Sequence, residues 1–305
     1  MSNIKILLFS NCHGTAYKRL IDSQLMGDFD VNHIVTYENL RRPDVKNVYK
    51  VMNSSDIIAM TPFQDSKSPY YFSTIRKMFP GKPVIHIPYV RFKGFWPEFE
   101  VDNIKKPKIK SSCVEWIPDI SIEHVDSYLA GEHLKPHQIK QHYDRHIDKL
   151  KHIESQTDLK FIDHFLQYQT NFMTFKDVQH PVKHMFKFIG DQLCEAIYSI
   201  KADNLKIHKH ENIILPTIYE HGHYRPVKDK VKDVLGLKYN LDQSYMITRK
   251  KFMKDIINYE RNTDKTDQIT TLDQLYEHVF QVHRTEIRTK AKKLDECNIP
   301  LPFSR

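Results

Sequence analysis

The first apolar run of the chain, IKILLF at 4–9, is short, unbroken and rich in branched residues, the pattern of a strand covered on both faces. SNCHG interrupts it, and TAYKRLIDSQL then spaces its apolar positions with a helical period. The alternation repeats. VNHIVT at 31–36, DIIAM at 56–60 and PVIHIPYV at 83–90 read as strands, with NVYKVMNSS and PYYFSTIRKMF as the helices between them. Strands alternating with helices at this spacing build a parallel sheet flanked by helices, so the N-terminal half is expected to be α/β. From about 121 to 198 helical periodicity takes over, predicting a largely helical middle. The stretch 212–227 reads as a loop or edge segment, because Pro216 and Pro226 cannot serve a central strand. Residues 271–294 pattern as a long amphipathic helix followed by a surface tail, NIPLPFSR. The predicted organisation is an α/β domain over 1–240, with a helical insertion around 120–175, and a helical C-terminal extension over 241–305.

Composition narrows the field. Hydrophobic residues at 40% and aromatics at 11% suffice for a core, which excludes general disorder. Eight glycines are too few and too scattered for GxGxxG or GxxxxGK[ST], so Rossmann and P-loop phosphate cradles are excluded. The apolar runs fall short of a membrane span, and the N-terminal run lacks the layout of a signal peptide, giving an expectation of a cytoplasmic protein. Cys12, Cys113, Cys194 and Cys297 show no CxxC spacing and are expected to be free thiols. His142 and His146, four apart, and the pairs His208/His210 and His221/His223 have metal-like spacing, but no HExxH accompanies them and no metal is predicted. The aromatic sets Tyr70, Tyr71, Phe72 and Phe92, Phe95, Trp96 read first as core, with sugar or adenine stacking as the alternative.

The net charge of +8 suits a polyphosphate ligand or peripheral contact with the surface of an anionic membrane. Nucleic-acid binding is disfavoured. RKKFMK at 249–254 and RTEIRTKAKK at 284–293 are basic stripes without a helix-turn-helix, zinc-finger or RNP pattern, and KKPKIK at 105–110 reads as an exposed connector.

Two places can carry chemistry. Ser10-Asn11-Cys12-His13-Gly14 stands where the first strand ends and the first helix begins, and open α/β sheets bind ligands beyond the carboxyl ends of their strands. A helix start there favours a thiolate or an oxyanion, so Cys12 is a candidate nucleophile; the plain alternative is a small buried residue. Asp177-Val178-Gln179-His180-Pro181 precedes the apolar-periodic VKHMFKFIGDQLCEAI, with Pro181 read into the first helical turn. His180 is the candidate base and Asp177 its orienting acid, or else the pair merely closes a loop and caps a helix.

These residues resemble the WcbI-type polysaccharide biosynthesis family. The likeness rests on the N-C-H turn at 11–13, the string of Ile87, Pro88, Phe92, Gly94, Phe95 and Pro97, the His180-Pro181 pair and ILPTIYEHGHYRPV, and it covers most of 4–237. The resemblance implies an acyltransferase of capsular or surface polysaccharide, acetyl being the expected group, with coenzyme A as the acyl carrier and a sugar or lipid-linked glycan as acceptor. It places Asn11, Cys12 and His13 around the reaction centre with His180 facing it. Gly14, Thr15, Arg19, Arg76, Arg91 and Lys93 flank the expected strand ends and are the candidate contacts to coenzyme A. The layout is also similar to the SGNH hydrolase plan, except that cysteine replaces serine and the D-x-x-H lies far from the C-terminus. A carbohydrate esterase and a non-catalytic glycan- or nucleic-acid-binding protein are the alternatives.

Overall fold

The structure, a computed structural model, describes residues 3–36, 45–63, 65–97, 122–208 and 227–239. Four strands, β1 (Ile4–Ser10), β3 (Phe29–Val35), β4 (Ile57–Met60) and β5 (Val84–His86), form one sheet in the order β3-β1-β4-β5. All three pairings are parallel. The α/β reading of the N-terminal half therefore holds. Ile6, Leu7, Leu8 and Phe9 are all buried, as a strand hydrogen-bonded on both edges and covered on both faces requires. The helices between are α1 (Gly14–Gln24), α2 (Val45–Ser54) and α3 (Phe72–Met78). The final strand stops at His86, well short of the run to 90, because Pro88 cannot donate to a ladder.

A short antiparallel pair, β2 (Leu25–Gly27) with β6 (Leu205–Ile207), has no alternating signal long enough to read in the sequence. The helical middle consists of a 3₁₀ turn (Ile122–His124), α4 (Val125–Ala130), α5 (Pro136–Ser155), α6 (Ile162–Tyr168) and α7 (Lys183–Ile200), followed by α8 (Asp229–Leu235). Among the described residues no helix is long and apolar enough to cross a membrane. The basic connector 105–110, most of the 212–227 segment and everything assigned to the 241–305 extension lie outside the described residues.

The chain divides into two compact units. One comprises Met1–Arg91, Asp148–Gln167 and His180–Tyr219, and the other Phe92–Ile147, Tyr168–Gln179 and Glu220–Arg305. The first holds the sheet. One face of it is packed by Leu7, Phe9, Val48, Met52, Ile58, Met60, Tyr70 and Ile75. At the far edge Asp158 receives the His86 backbone N–H at 2.7 Å, lies 3.2 Å from His86 Nδ1 and is paired with Arg76 Nη2 at 3.1 Å. Burial alone would raise the Asp158 carboxyl, but the His86 hydrogen bonds and the nearby Arg76 outweigh it and hold the group at about 2.

The second unit has an aromatic core. Phe92 meets Phe95 edge-on at 4.8 Å and lies 5.5 Å from Phe175, and Phe92, Phe95 and Trp96 are fully buried. Those aromatics are core, as first read, and so is Tyr70 in the first unit; Tyr71 and Phe72 are half-buried. His142 spends both ring nitrogens inside the second unit, Nε2 on the Lys93 carbonyl at 2.9 Å and Nδ1 against Arg145 at 3.2 Å. Lys228 Nζ sits 3.3 Å over the Tyr128 ring and donates to the Tyr128 carbonyl at 2.6 Å.

In the first unit His164 stacks on Phe188 at 4.0 Å and approaches His184 at 3.5 Å. Burial first, and the His184 charge second, push its imidazole down to about 4. The unfolded chain, with an imidazole near the ordinary ~6.5, then binds the additional proton, so stability is present at neutral pH and is lost as pH falls from about 6.5 towards 4. His164→Phe keeps the stack and removes the titration. The fall in melting temperature between pH 7 and 5 should be shallower in that variant, and equal slopes would contradict this assignment.

Candidate active site

Counting only its own strands in chain order, the sheet runs 2-1-3-4, the doubly wound order whose direction of winding reverses between β1 and β4. Ligands of open α/β sheets bind at that reversal, beyond the carboxyl ends. Here the carboxyl end of β1 is Ser10, followed by Asn11 and Cys12.

The turn is tightly bonded. Thr61 Oγ1, just past β4, donates to Ser10 Oγ at 3.2 Å, and Ser10 Oγ lies 3.4 Å from Asn11 Oδ1. Asn11 Oδ1 also accepts the His13 N–H at 3.0 Å. With its carbonyl oxygen committed to two donors, the Asn11 amide is fixed in orientation, and its Nδ2 makes no hydrogen bond among the described residues. The backbone N–H groups of Gly14, Thr15 and Ala16 go to the carbonyls of Asn11, Cys12 and His13 at 3.0–3.2 Å. The first-turn amides expected to face an oxyanion are thus occupied within the turn. Among the described residues the Asn11 side-chain Nδ2 is a donor left open beside Cys12.

Cys12 is half-buried, and its Sγ lies 3.9 Å from His180 Nε2. His13 is 1% exposed, with its ring edge-on to Phe186 at 5.1 Å, 5.9 Å from Tyr89 and 6.2 Å from His180. Those contacts make His13 a packing wall for the His180 imidazole. Tyr17 lies one turn further along α1, wholly buried against Phe186 at 5.8 Å. Burial, and then the nearby Cys12 charge, push its phenol far up, so it stays neutral.

α7 begins at Lys183 with Val182 as its N-cap, two residues later than the reading that put Pro181 in the first turn. His180 therefore stands ahead of the helix, outside its first turn. Asp177 belongs to the second unit, where its Oδ1 accepts the Gln179 N–H at 2.7 Å. The structure thus gathers Asn11, Cys12, His13 and His180.

The candidate coenzyme A contacts divide. Gly14 is a matter of space: a Cβ there would stand 2.2 Å from His33 Nε2, so only glycine lets the β3 imidazole lie across the first turn of α1. Thr15 is half-buried beside it. Arg19 and Arg91 are exposed, Arg76 is engaged by Asp158, and Lys93 lies in the second unit with its carbonyl on His142. Ser10 was within the motif, whereas Thr61, His33 and Tyr17 escaped sequence reading. A threonine directly after the DIIAM strand was the available signal for the first of these.

The fold and this turn define a doubly wound α/β protein carrying a cysteine and a histidine at the reversal of its sheet. The chain belongs to the family described as polysaccharide biosynthesis enzyme WcbI, whose sequence profile matches residues 5–198, well over half of its length. A solved structure of WcbI, described as a novel polysaccharide biosynthesis enzyme and as native protein without a disulfide bond between coenzyme A and one of its cysteines, is similar to this chain with a TM-score of 0.58. It is 12% identical, and the match covers 95% of this chain and 99% of that one, a likeness of fold. No curated protein matches the sequence.

Alkylation distinguishes the two described thiols. Cys194 is fully buried in α7, and burial together with Asp191 and Glu195 pushes its thiol up. Peptide-resolved iodoacetamide labelling of the native protein should mark Cys12 and leave Cys194 unmodified until denaturant is added. Equal labelling of the two would refute this account of their surroundings.

Proposed function

We propose that this protein transfers an acyl group, most simply acetyl, from coenzyme A to a sugar hydroxyl of a surface or capsular polysaccharide or of its lipid-linked precursor. The observation that carries the reading is the 3.9 Å approach of Cys12 Sγ to His180 Nε2 at the carboxyl edge of β1. Membership of a polysaccharide biosynthesis family supports the acceptor, and the neighbour's description, which names coenzyme A beside a cysteine, supports the donor. A net charge of +8 suits a ligand with several phosphates and a cytoplasmic site close to an anionic membrane face. The donor set fits a thioester: a sulfur nucleophile, an imidazole in reach of it, and, on the adjoining residue, an amide N–H₂ with no partner among the described residues.

In this mechanism His180 Nε2 takes the Cys12 proton, and the thiolate attacks the thioester carbonyl, whose oxygen becomes negative and accepts from Asn11 Nδ2. As that intermediate collapses, the carbonyl re-forms, the carbon–sulfur bond to the carrier breaks, and His180 returns the proton to the departing thiolate. Cys12 is left acylated. His180, again neutral, then takes the proton of the sugar hydroxyl as its oxygen attacks the Cys12 thioester; collapse releases the ester and restores the Cys12 thiol with that proton. In the direct alternative His180 deprotonates the hydroxyl for attack on the carrier thioester, and Cys12 with Asn11 only stabilises the oxyanion. We assign this chemistry to residues 1–240.

Intact-mass analysis after mixing with acetyl-coenzyme A should show an acetylated enzyme mapped to Cys12 and absent from Cys12→Ser. His180→Ala should lower transfer by about 10²–10⁴, the usual worth of a positioned base, without moving the melting temperature. Direct transfer predicts instead that Cys12→Ser turns over with no adduct in either protein. Wild-type rates in both Cys12→Ala and His180→Ala would remove this site, and release of acetate from an acetylated glycan without coenzyme A would make the protein an esterase. For the carrier itself, calorimetry should detect coenzyme A binding that weakens when Arg19 or Arg91 is reversed to Glu. No binding at millimolar ligand would remove coenzyme A from the reading, and unchanged binding in the variants would remove those two positions.

A further inference from the structure

Cys12 and His180 are 168 residues apart; Cys12 stands two residues ahead of α1 and His180 three ahead of α7. The contacts between these helices climb in the same direction along both. His13 and Tyr17 meet Phe186, Leu20 meets Gly190, and at the far end Gln24 Nε2 donates to Asp191 Oδ1 at 2.7 Å, with Lys187 closing on Asp191 at 2.7 Å. The two helices therefore lie side by side and parallel, with both N-termini at one end. Their separation and register decide how far Cys12 stands from His180.

The middle of that contact is a notch. Gly190 is the only glycine within α7 and one of eight in the whole chain, and a glycine inside a helix costs about 1 kcal/mol relative to alanine. A mid-helix glycine in a chain so poor in them points to a packing requirement. A Cβ built there would lie 2.3 Å from Leu20 Cδ1 and 3.2 Å from both Leu20 Cβ and Cγ. Leu20 is 1% exposed and Ile189 and Leu193, on either side of the notch along α7, are fully buried, so the Leu20 methyl has no open space into which to swing. With the Cδ1 methyl confined and the Leu20 stem already at 3.2 Å, an added methyl is taken up by the helices moving apart or sliding.

We propose that Gly190 is a positioning residue for the Cys12–His180 pair: its missing side chain admits Leu20, lets α1 and α7 close, and thereby sets the thiol–imidazole distance. The inference rests on the reading of Cys12 and His180 as a working pair, and its test separates the two. An imidazole within reach of a thiol imprints its own titration, around pH ~6.5, on the rate of thiol alkylation. The measurement is the pH profile of iodoacetamide labelling at the Cys12 peptide, made on the full-length protein with melting temperature recorded for each variant. Wild type should show the inflection and His180→Ala should lose it. Gly190→Ala should lose most of it although no catalytic residue is altered, and Gly190→Ala combined with Leu20→Ala, which returns the space to the notch, should recover it.

A wild-type profile without the inflection, indifferent to His180→Ala, overturns the pair and the proposal with it. A pair confirmed by His180→Ala, but with a folded Gly190→Ala that keeps the wild-type inflection, overturns the positioning role alone. Should Gly190→Ala not fold, the combined variant decides: folded with the inflection it supports the notch, and folded without it the proposal falls.

Discussion

Everything at the candidate site follows from the burial of β1. A strand hydrogen-bonded to β3 on one edge and β4 on the other, with Ile6 to Phe9 shielded from water, has no room for an unpaired polar group until it leaves the sheet. It leaves at Ser10, where the winding of the sheet reverses. There the turn must satisfy its own donors and acceptors, and it does so by bonding Thr61 to Ser10, Ser10 to Asn11 and Asn11 to the His13 amide. The network that settles the backbone is therefore also the one that orients Asn11 and presents Cys12.

A second consequence concerns the helices. Because β1 runs into α1 through only three residues, Asn11 to His13, the start of α1 is tied to the sheet edge, and the packing of α7 against α1 brings His180 to the same place. Phe186 acts for both, carrying the ring of His13 on one contact and that of Tyr17 on another. The neutral, buried Tyr17 matters here because a second negative charge beside Cys12 would oppose formation of a thiolate. Gly14 and Gly190 serve close approach in two directions, the first admitting His33 from the sheet and the second Leu20 from α1. In a chain with few glycines, both are placed where a Cβ would collide with a neighbouring side chain, His33 or the buried Leu20.

Much of this was legible in the residues alone. Unbroken apolar runs separated by helical periods specify a parallel sheet, because only strands covered on both faces are apolar at every position. The polar turn after the first of them specifies where a ligand edge must lie, and Cys12 with Asn11 stands in that turn. These are local patterns, written within a dozen residues. What the sequence could not specify is partnership at long range. That Cys12 meets His180 across 168 residues, that Asp177 closes a local turn with Gln179, that Arg76 is claimed by Asp158 and that Thr61 anchors Ser10 are decided by which elements pack together. No one-dimensional pattern records that packing, since a glycine admitting Leu20 and a glycine merely ending a turn are the same letter until the neighbouring helix is in place.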